Sequence, residues 1–218
     1  MERILKGLDK FRREVYPRHT QLFESLAEQQ QPEVLFVTCA DSRVNPSLIT
    51  QTLPGELFVC RNAGNMVPPY GELNGGVSAT IDYAVAVLNV RHIVVCGHSN
   101  CGAMKGVLHP ETVAHLPTVR SWLGLGEVAR QVVLDNYAEL PPDQLLQTMA
   151  EQNVLAQLSN LRTFPSIASR LRRNAIELHG WMFVIRTGEV FIYDQATEEF
   201  EPGGWECRLS ADKLERSA

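Results

Sequence analysis

The sequence predicts an α/β fold in which helices flank a mainly parallel central sheet of about four core strands plus one added strand, preceded by an N-terminal helical arm. Short apolar runs rich in β-branched residues, at 34–37 and 92–96, are typical of buried parallel strands. Segments with helical spacing alternate with these runs, which is the order of βαβ units. Polar residues follow the runs directly, at the sheet edge where α/β folds collect ligands.

The predicted arm covers residues 2–28 and consists of two amphipathic helices interrupted near Pro17. The first helix has an apolar stripe made of Leu5, Leu8, Phe11 and Val15. A helix pair ahead of the first strand has no obvious place inside a small α/β core. We therefore expect the arm to pack across a partner subunit, and packing on a sheet face of its own subunit is the alternative.

The remaining elements alternate in the expected way. Strands are predicted near 33–38, 56–61, 92–97, 177–185 and 189–193. Helices are predicted at 76–88, from 101 onwards, and at 121–136, 144–161 and 165–173. This order predicts a single domain over 1–218, divided into a helical arm (1–29), a catalytic α/β core (30–195) and a C-terminal tail (196–218).

Composition and charge narrow the possible partners. The chain has 218 residues, is 44% hydrophobic and carries a formal charge of −5, which suits one domain with a full core. The acidic balance and the lack of a dense Lys/Arg run argue against a nucleic-acid partner. No stretch has the uninterrupted apolar length of a membrane span, and the first residues lack the apolar core of a signal peptide. We therefore expect a cytoplasmic protein without a membrane partner.

The five cysteines are an odd number and fit free thiols in a reducing compartment. Cys60 and Cys96 lie inside strand-like apolar runs, where cysteine usually acts as a small core residue. Cys207 lies in a polar tail. Only Cys39 and Cys101 follow strand ends beside other polar residues, which makes them the candidates for chemistry.

Cys39, His98 and Cys101 are the candidate metal ligands. Cys39 ends the first predicted strand and His98 follows the third, so pairing of these strands would bring both to one sheet edge. Two thiolates and one imidazole are a three-ligand zinc set that leaves a position open for water, as in catalytic zinc sites. A structural zinc site is the alternative, closed by Asp41, by Cys207 or by a remote histidine. The other histidines show no metal-ligand spacing: His19, His92, His109, His115 and His179.

Asp41 and Arg43 are the candidate catalytic pair, with an ordinary ion pair as the alternative. Side chains two residues apart on an extended chain point the same way, so Cys39, Asp41 and Arg43 share one face if strand geometry continues. Asp41 could then bind zinc or accept a hydrogen bond from a zinc-bound hydroxide, while Arg43 holds it through a bidentate pair. A neutral site acidifies water less than a positively charged one, so we expect activity to rise on the alkaline side of neutrality.

Three motifs together resemble the β-class carbonic anhydrases, in particular bacterial ones. They are Cys-x-Asp-x-Arg at 39–43, Arg-Asn-Ala-Gly-Asn at 61–65 and His-Ser-x-Cys-Gly at 98–102. The resemblance runs from the N-terminal helices to Tyr193. It implies reversible hydration of CO2 to bicarbonate and a proton by zinc-bound hydroxide, with Zn²⁺ on Cys39, His98 and Cys101. It also implies a homodimer as the basic unit, often paired into tetramers.

Two other activities remain open from the sequence. The same site could hydrolyse CS2 or COS, as some relatives do, if access to the pocket favoured those substrates. A non-catalytic bicarbonate-binding or scaffold protein is an alternative of another class, although the complete ligand set and dyad argue against lost function. A redox role for Cys39 and Cys101 is disfavoured because they do not form a Cys-x-x-Cys pair.

The resemblance also implies a substrate pocket of the plant-like type. Such pockets are lined by a Gln, a Phe and a Tyr, and Gln30, Phe58 and Tyr83 stand at matching offsets. We expect a partner subunit to supply part of this lining. A dry pocket suits a small apolar molecule such as CO2, while the Gln30 amide and the Gly102 N–H could orient its oxygen.

A second branch of the family closes its site when bicarbonate binds, through a Trp, an Arg and a Tyr. In this sequence Phe36 and Phe183 stand at the Trp and Tyr positions, and only Arg61 remains. An anion at that place would lack partners for its oxygens. We therefore expect an open site in which Asp41 pairs with Arg43 and stays off the metal.

Overall fold

The computed structural model describes residues 1–72 and 75–204. Its centre is a six-stranded sheet made of β1 (Val34–Cys39), β2 (Leu57–Asn62), β3 (His92–His98), β4 (Glu177–Phe183), β5 (Val190–Asp194) and β6 (Glu199–Pro202). The strand order is β2-β1-β3-β4-β5-β6. The first four strands are parallel, and β5 and β6 run antiparallel to their neighbours. The predicted α/β class with a mainly parallel sheet is confirmed.

Helices connect the strands and precede the sheet. They are α1 (Glu2–Lys10), α2 (Thr20–Glu28), α3 (Pro46–Thr50), α4 (Gly76–Ala86), α5 (Gly102–Leu108), α6 (Pro117–Leu123), α7 (Glu127–Tyr137), α8 (Pro142–Leu161) and α9 (Pro165–Leu171). Four of them begin with proline, whose fixed backbone angle and missing N–H suit the first helical position. The side chain of Asn45 caps α3 by accepting from the Leu48 N–H.

The two faces of the sheet are covered unequally. The helix-covered face carries the main core, to which the central strands contribute Leu35, Val37, Ile93 and Val95. The opposite face carries a smaller cluster of Phe36, Val94 and Cys96, with Trp181 and Phe183 beside them. Side-chain alternation along each strand separates the two sets, and α8 packs on β3 and β4. The smaller cluster borders a groove of about 700 Å³, here called the sheet-face groove.

Strand register brings the ends of β1 and β3 together. Thr38 of β1 pairs with Cys96 of β3, so both strands finish at the same edge of the sheet. Cys39 of β1 pairs with Asn62 of β2, which places the start of the 62–67 loop at that edge as well. The loops that follow β1, β2 and β3 therefore all begin at the carboxyl edge of the sheet, where ligands bind in α/β folds.

Three details differ from the sequence prediction. A sixth strand, β6, lies within the predicted tail (196–218) and pairs with β5. The helix predicted at 121–136 is two helices, α6 and α7, because Gly124–Gly126 forms a 3₁₀ turn between them. In the arm, a π-helical segment (Phe11–Val15) and a 3₁₀ turn (Tyr16–Arg18) form the interruption predicted near Pro17. Cys207 lies outside the described residues.

The arm does not cover the sheet of its own chain. Within the described residues, α1 buries none of its side chains, and Leu5 and Leu8 are 54% and 61% exposed. The alternative in which α1 packs on a sheet face of the same subunit is therefore not what the chain adopts. Among the helices of 1–72 and 75–204, none combines the length and apolarity needed to cross a membrane.

Candidate active site

Cys39, His98 and Cys101 meet at the carboxyl edge of the sheet. Cys39 is the last residue of β1, His98 is the last residue of β3, and Cys101 directly precedes α5. All three are buried, and their ligand atoms lie within 4.8 Å of one another. The two Sγ atoms are 4.0 Å apart. Two thiolates bound at about 2.3 Å to one tetrahedral ion lie about 3.8 Å apart, so the observed spacing fits a shared metal.

His98 presents one ring nitrogen to this cluster and anchors the other. Its Nδ1 lies 3.0 Å from the carbonyl oxygen of Ser99, to which an Nδ1–H donates. Its Nε2 is buried and has no hydrogen-bond partner within the described part of the chain. Since buried polar atoms are rarely left unpaired, an Nε2 lone pair beside two thiols indicates a metal ligand.

One thiol of the cluster, that of Cys39, differs in its pKa from the other buried cysteines. A hydrogen bond from Cys101, helped by His98 and the backbone, holds the pKa of Cys39 well below its ordinary value. The same hydrogen bond, together with burial, raises the pKa of Cys101. Burial raises the pKa of Cys60, and it raises that of Cys96 to about 12. A thiolate, the form that binds metal, is therefore favoured at the sheet edge and disfavoured inside the strands.

The loop after β2 forms a wall beside Cys39. The Gly64 N–H donates to Cys39 Sγ at 3.4 Å. Gly64 has a φ of +81°, and a Cβ at this position would lie 3.0 Å from the Ala103 Cβ and 3.0 Å from the Met104 Cε. A side chain would be strained in this left-handed conformation and would crowd α5, so the close approach requires glycine.

Two buried amides of α8 hold this loop, and the sequence analysis missed both. Asn153 donates to the Gly64 carbonyl oxygen at 3.0 Å. Gln157 donates to Asn153 Oδ1 at 2.9 Å and accepts from the Val67 N–H at 2.8 Å. Both amides are fully buried. Two amides four residues apart on a helix whose neighbouring positions are apolar are the signal that could have identified them.

Asp41 and Arg43 form a bidentate pair at the mouth of the site. Arg43 Nε donates to Asp41 Oδ1 at 2.9 Å, and its Nη2 donates to Oδ2 at 2.7 Å. These hydrogen bonds hold the pKa of Asp41 well below its usual range. Asp41 Oδ2 also lies 3.9 Å from His98 Nε2. The carboxylate is therefore an acceptor placed next to the ligand cluster.

The pair is produced by a tight turn and not by extended geometry. β1 ends at Cys39, after which the Arg43 N–H donates to Asp41 Oδ1 at 2.9 Å and the Val44 N–H donates to the Asp41 carbonyl oxygen at 3.1 Å. These are the hydrogen bonds of an Asx turn inside a β-turn. The sequence placed Cys39, Asp41 and Arg43 on one face on the condition that the strand continues. That condition is not met, because the strand ends at Cys39 and a turn follows.

Arg61 fixes this turn from the neighbouring strand β2. Its Nη2 donates to the carbonyl oxygens of Cys39, Asp41 and Val44 at 3.1, 2.7 and 2.9 Å. The guanidinium carries its N–H donors in one plane, so it can donate to several carbonyl oxygens that lie in that plane. The donors of a lysine ammonium do not have this planar arrangement. Arg61 is therefore a positioning residue for the segment that carries Cys39 and Asp41, a role that the sequence analysis did not assign.

Comparison with known proteins connects this geometry with one family. The sequence model of the carbonic anhydrase family matches residues 34–190. The structure of the β-carbonic anhydrase CcaA matches with a TM-score of 0.92 and 48% identity, covering 93% of this chain and 99% of that one. The chain belongs to the β-carbonic anhydrase family. A carbonic anhydrase of Synechocystis sp. is 48% identical over 201 residues, which are 92% of this chain and 73% of the relative.

A further solved relative is one of two tetrameric β-carbonic anhydrases of the ascomycete Sordaria macrospora. It has a TM-score of 0.77 and 30% identity, and the match covers 88% of this chain and 95% of the other. These matches confirm the resemblance seen in the sequence motifs. The activity of the family is the hydration of CO2, and this chain is a carbonic anhydrase by membership.

The predicted substrate residues of this β-carbonic anhydrase lie in two places. Gly102 is the first residue of α5, directly after the ligand Cys101. Phe58 and Tyr83 contact each other, with ring centroids 6.0 Å apart. However, Phe58 pairs in register with Leu35, which is four residues before the end of β1. At ~3.3 Å per residue this is roughly 13 Å from the carboxyl edge.

Gln30 lies still further from the ligand cluster of its own chain. It is exposed, and it precedes β1, whereas Cys39 is the last residue of that strand. The whole length of β1 therefore separates the two residues. Within one chain the structure brings together the candidate metal ligands, the Asp41–Arg43 pair and Gly102, but it does not bring Gln30, Phe58 or Tyr83 to them.

Proposed function

We propose that this β-carbonic anhydrase hydrates CO2 reversibly with a zinc ion held by Cys39, His98 and Cys101. The observation that supports this most is the buried cluster in which two thiols and an unpartnered imidazole nitrogen lie within 4.8 Å of one another. Thiolate and imidazole ligands suit zinc, whereas magnesium and calcium prefer oxygen. When bound, zinc lowers the pKa of a water molecule and so supplies the nucleophile for CO2.

Asp41 and Arg43 orient the reacting groups in this proposal. With the metal bound, Asp41 would accept a hydrogen bond from the O–H of the nucleophile that the metal supplies and so would orient a lone pair toward CO2. Arg43 donates hydrogen bonds to both carboxylate oxygens of Asp41 and to the Asn100 carbonyl oxygen, the latter at 3.2 Å. These contacts keep Asp41 beside the ligands. The pairing supports the open arrangement predicted from the sequence, in which Asp41 stays off the metal.

The substrate pocket in this proposal is completed by a second copy of the chain. Gln30, Phe58 and Tyr83 lie away from the ligand cluster of their own chain, so they can line a pocket only at the cluster of a partner. The Phe58 and Tyr83 rings would supply the apolar wall that suits CO2, and the Gln30 amide would supply a donor. Gly102 would add an N–H from the chain that holds the metal.

The arm supports the same assembly. Its α1 helix exposes Leu5 and Leu8, and the π-helical segment that follows exposes Phe11, so the single chain presents an apolar stripe that favours association. We infer a homodimer as the minimal unit and a tetramer as the larger assembly, which is the state described for the Sordaria macrospora relative. A cytoplasmic location fits the four buried cysteines of the described residues, all free, because metal-binding thiols must stay reduced.

The catalytic part of the proposal is tested by metal content and CO2 hydration together. Elemental analysis of tag-free protein should give about one zinc per chain, and stopped-flow hydration should become faster with rising pH because the reaction needs deprotonated water. His98→Ala should lose both zinc and activity, whereas His109→Ala, on an exposed residue, should keep both. A metal-free protein with full activity, or a zinc-loaded protein without activity, would refute the proposal.

The assembly is tested separately by charge placed on the arm. Leu5→Glu combined with Leu8→Glu should reduce the molar mass measured by light scattering and slow CO2 hydration, because the pocket loses its partner-supplied wall. Lys6→Glu places the same side chain on the polar face of α1, where Lys6 contacts Glu2, and should keep the native mass. An unchanged mass in the double variant would remove the arm from the interface.

A further inference from the structure

A second group of metal-type ligands lies at the amino end of the same sheet. His92 is the first residue of β3, Glu177 is the first residue of β4, and His179 follows two residues later. His92 pairs in register with Glu177. Because residues two apart on a strand share a face, the three side chains project from one side of the sheet. The two histidines are 87 positions apart, which explains why no sequence spacing reveals them.

The three ligand atoms converge on one point. His92 Nδ1 lies 3.2 Å from His179 Nε2. Glu177 Oε2 lies 3.7 Å from each of these nitrogens. A tetrahedral ion with bonds of about 2.0–2.2 Å sets its nitrogen and oxygen ligands about 3.3–3.6 Å apart. The observed triangle therefore needs adjustments of only a few tenths of an ångström to hold such an ion.

The position is reachable from solvent and partly sheltered. The side chains of His92 and His179 are 36% and 21% exposed, and that of Glu177 is 66% exposed. All three line the sheet-face groove together with Val94 and Trp181. Apolar neighbours lower the local dielectric and strengthen the attraction between a carboxylate and a cation. The groove thus offers both an entry path and a favourable setting for a divalent ion.

We propose that His92, Glu177 and His179 form a second binding site for a divalent transition-metal ion of the zinc type, separate from the catalytic cluster. Two imidazoles and one carboxylate select borderline ions such as Zn²⁺, Co²⁺ or Ni²⁺ over Mg²⁺ and Ca²⁺. Three protein ligands leave a coordination position for water or a small anion. His92 and His98 are separated by the length of β3, roughly 20 Å, so one ion cannot serve both sites.

Binding at this site joins the beginnings of two central strands. An ion that binds the folded chain and not the unfolded chain shifts the folding equilibrium toward the native state. The imidazole–imidazole hydrogen bond is replaced by two coordinate bonds, and Glu177 contributes its charge. The expected effect of occupancy is therefore a higher thermal midpoint, with no new contact to the catalytic cluster.

The test uses tag-free, oligomeric holoenzyme with its catalytic metal in place, titrated with Zn²⁺ in a calorimeter. The native protein should take up one further Zn²⁺ per chain, and Mg²⁺ should give no signal. His92→Gln and His179→Gln should each bind this ion at least ~10-fold more weakly. His109→Gln is the matched control, since His109 lies 3.5 Å from Glu111 with no third metal-type ligand grouped with them in the described part of the chain, and it should bind like the native protein.

A second measurement keeps the result independent of folding defects in the variants. Added Zn²⁺ should raise the thermal midpoint of the native protein and of His109→Gln, and should leave that of His179→Gln unchanged. No uptake of Zn²⁺ by the native holoenzyme beyond its catalytic ion, or equal uptake by native protein and His179→Gln, would overturn the second site. CO2 hydration and the first zinc are measured on the same samples, so failure here is distinct from failure of the catalytic proposal.

Discussion

β3 begins and ends with a histidine, and the two ends differ in what holds the side chain. At the carboxyl end His98 is fully buried and bonded to a backbone carbonyl, and its neighbour Cys39 receives the Gly64 N–H. At the amino end His92 is partly exposed and contacts another side chain, His179. The first cluster is supported by the backbone of several connections, whereas in the second the two histidines contact each other and lie beside Glu177.

This difference teaches which site is organised before an ion arrives. Backbone donors and carbonyls are fixed by the sheet, so the carboxyl-edge cluster needs little reorganisation to bind metal. The amino-end cluster must order a largely exposed Glu177 side chain, which costs conformational entropy. We therefore expect tight, permanent metal at the first cluster and weaker, exchangeable metal at the second.

The largest expected effect comes from removing a ligand of the supported cluster. Cys101→Ala should release the metal and reduce CO2 hydration by more than the ~10–100-fold that loss of an outer partner costs. Metal content and stopped-flow kinetics measure the two effects. Cys60→Ala, which removes a buried thiol inside β2, should keep metal and most of the activity. Retention of metal by Cys101→Ala would remove this cysteine from the ligand set.

The next effect separates metal binding from catalysis within the same cluster. Asp41→Ala should keep its zinc but lose roughly 10²-fold or more in turnover, because the nucleophile is no longer oriented. Asp135→Ala, on the surface of α7, should behave like the native protein. Full turnover in Asp41→Ala would show that the carboxylate has no catalytic part, and loss of zinc would show that it acts on the metal instead.

A smaller effect tests whether backbone support is what distinguishes the carboxyl edge. Arg61→Gln leaves the carbonyl oxygens of Cys39, Asp41 and Val44 without their shared donor, which should lower the free energy of unfolding by about 1–3 kcal/mol. Denaturant unfolding measures the change. Arg120→Gln, on the exposed surface of α6, should change stability very little. Equal stability of the two variants would mean that the turn is stabilised by its own hydrogen bonds and does not need Arg61.

The smallest expected effect concerns His92, at the amino end of β3, and tests whether this end is independent of the catalytic cluster. His92→Gln should change CO2 hydration by less than about twofold, since only groups that interact with the transition state alter the chemical step. The comparison is made by stopped-flow kinetics against His109→Gln. A large loss of activity in His92→Gln alone would show that the two ends of β3 are energetically coupled.

Much of the fold could be predicted because the two central strands β1 and β3 are buried along almost their whole length and their sequences show it. The runs that form β1 and β3 are almost continuously apolar, and their predicted positions agree with the structure to within a residue or so. β6 could not be predicted, because Glu199–Pro202 is largely polar and becomes a strand only by pairing with β5. The division of α6 from α7 depends on two glycines whose helix-breaking effect varies with tertiary contacts.

The site could be predicted in its residue types but not in its geometry. That Cys39 and His98 end neighbouring strands follows from the order of the strands, so their convergence was accessible from the sequence. The Asp41 turn is held by its own backbone and by Arg61 of β2, and Asn153 reaches the Gly64 carbonyl oxygen, so the helical spacing of the buried amides could be seen in the sequence but their distant partners could not. Gln30 lies before β1 and Cys39 ends it, so only a second copy of the chain, which one sequence does not display, could bring Gln30 to a cluster as the proposed pocket requires.

The separation of the ligands along the chain has a consequence for how the protein matures. Cys39 and Cys101 are 62 positions apart, and they meet only after β1 and β3 have paired and α4 has crossed between β2 and β3. Parallel pairing over such a separation is among the slow steps of folding. The full ligand set therefore exists only once residue 101 has been made and β1 has paired with β3, so an ion that needs all three side chains is expected to bind after that pairing.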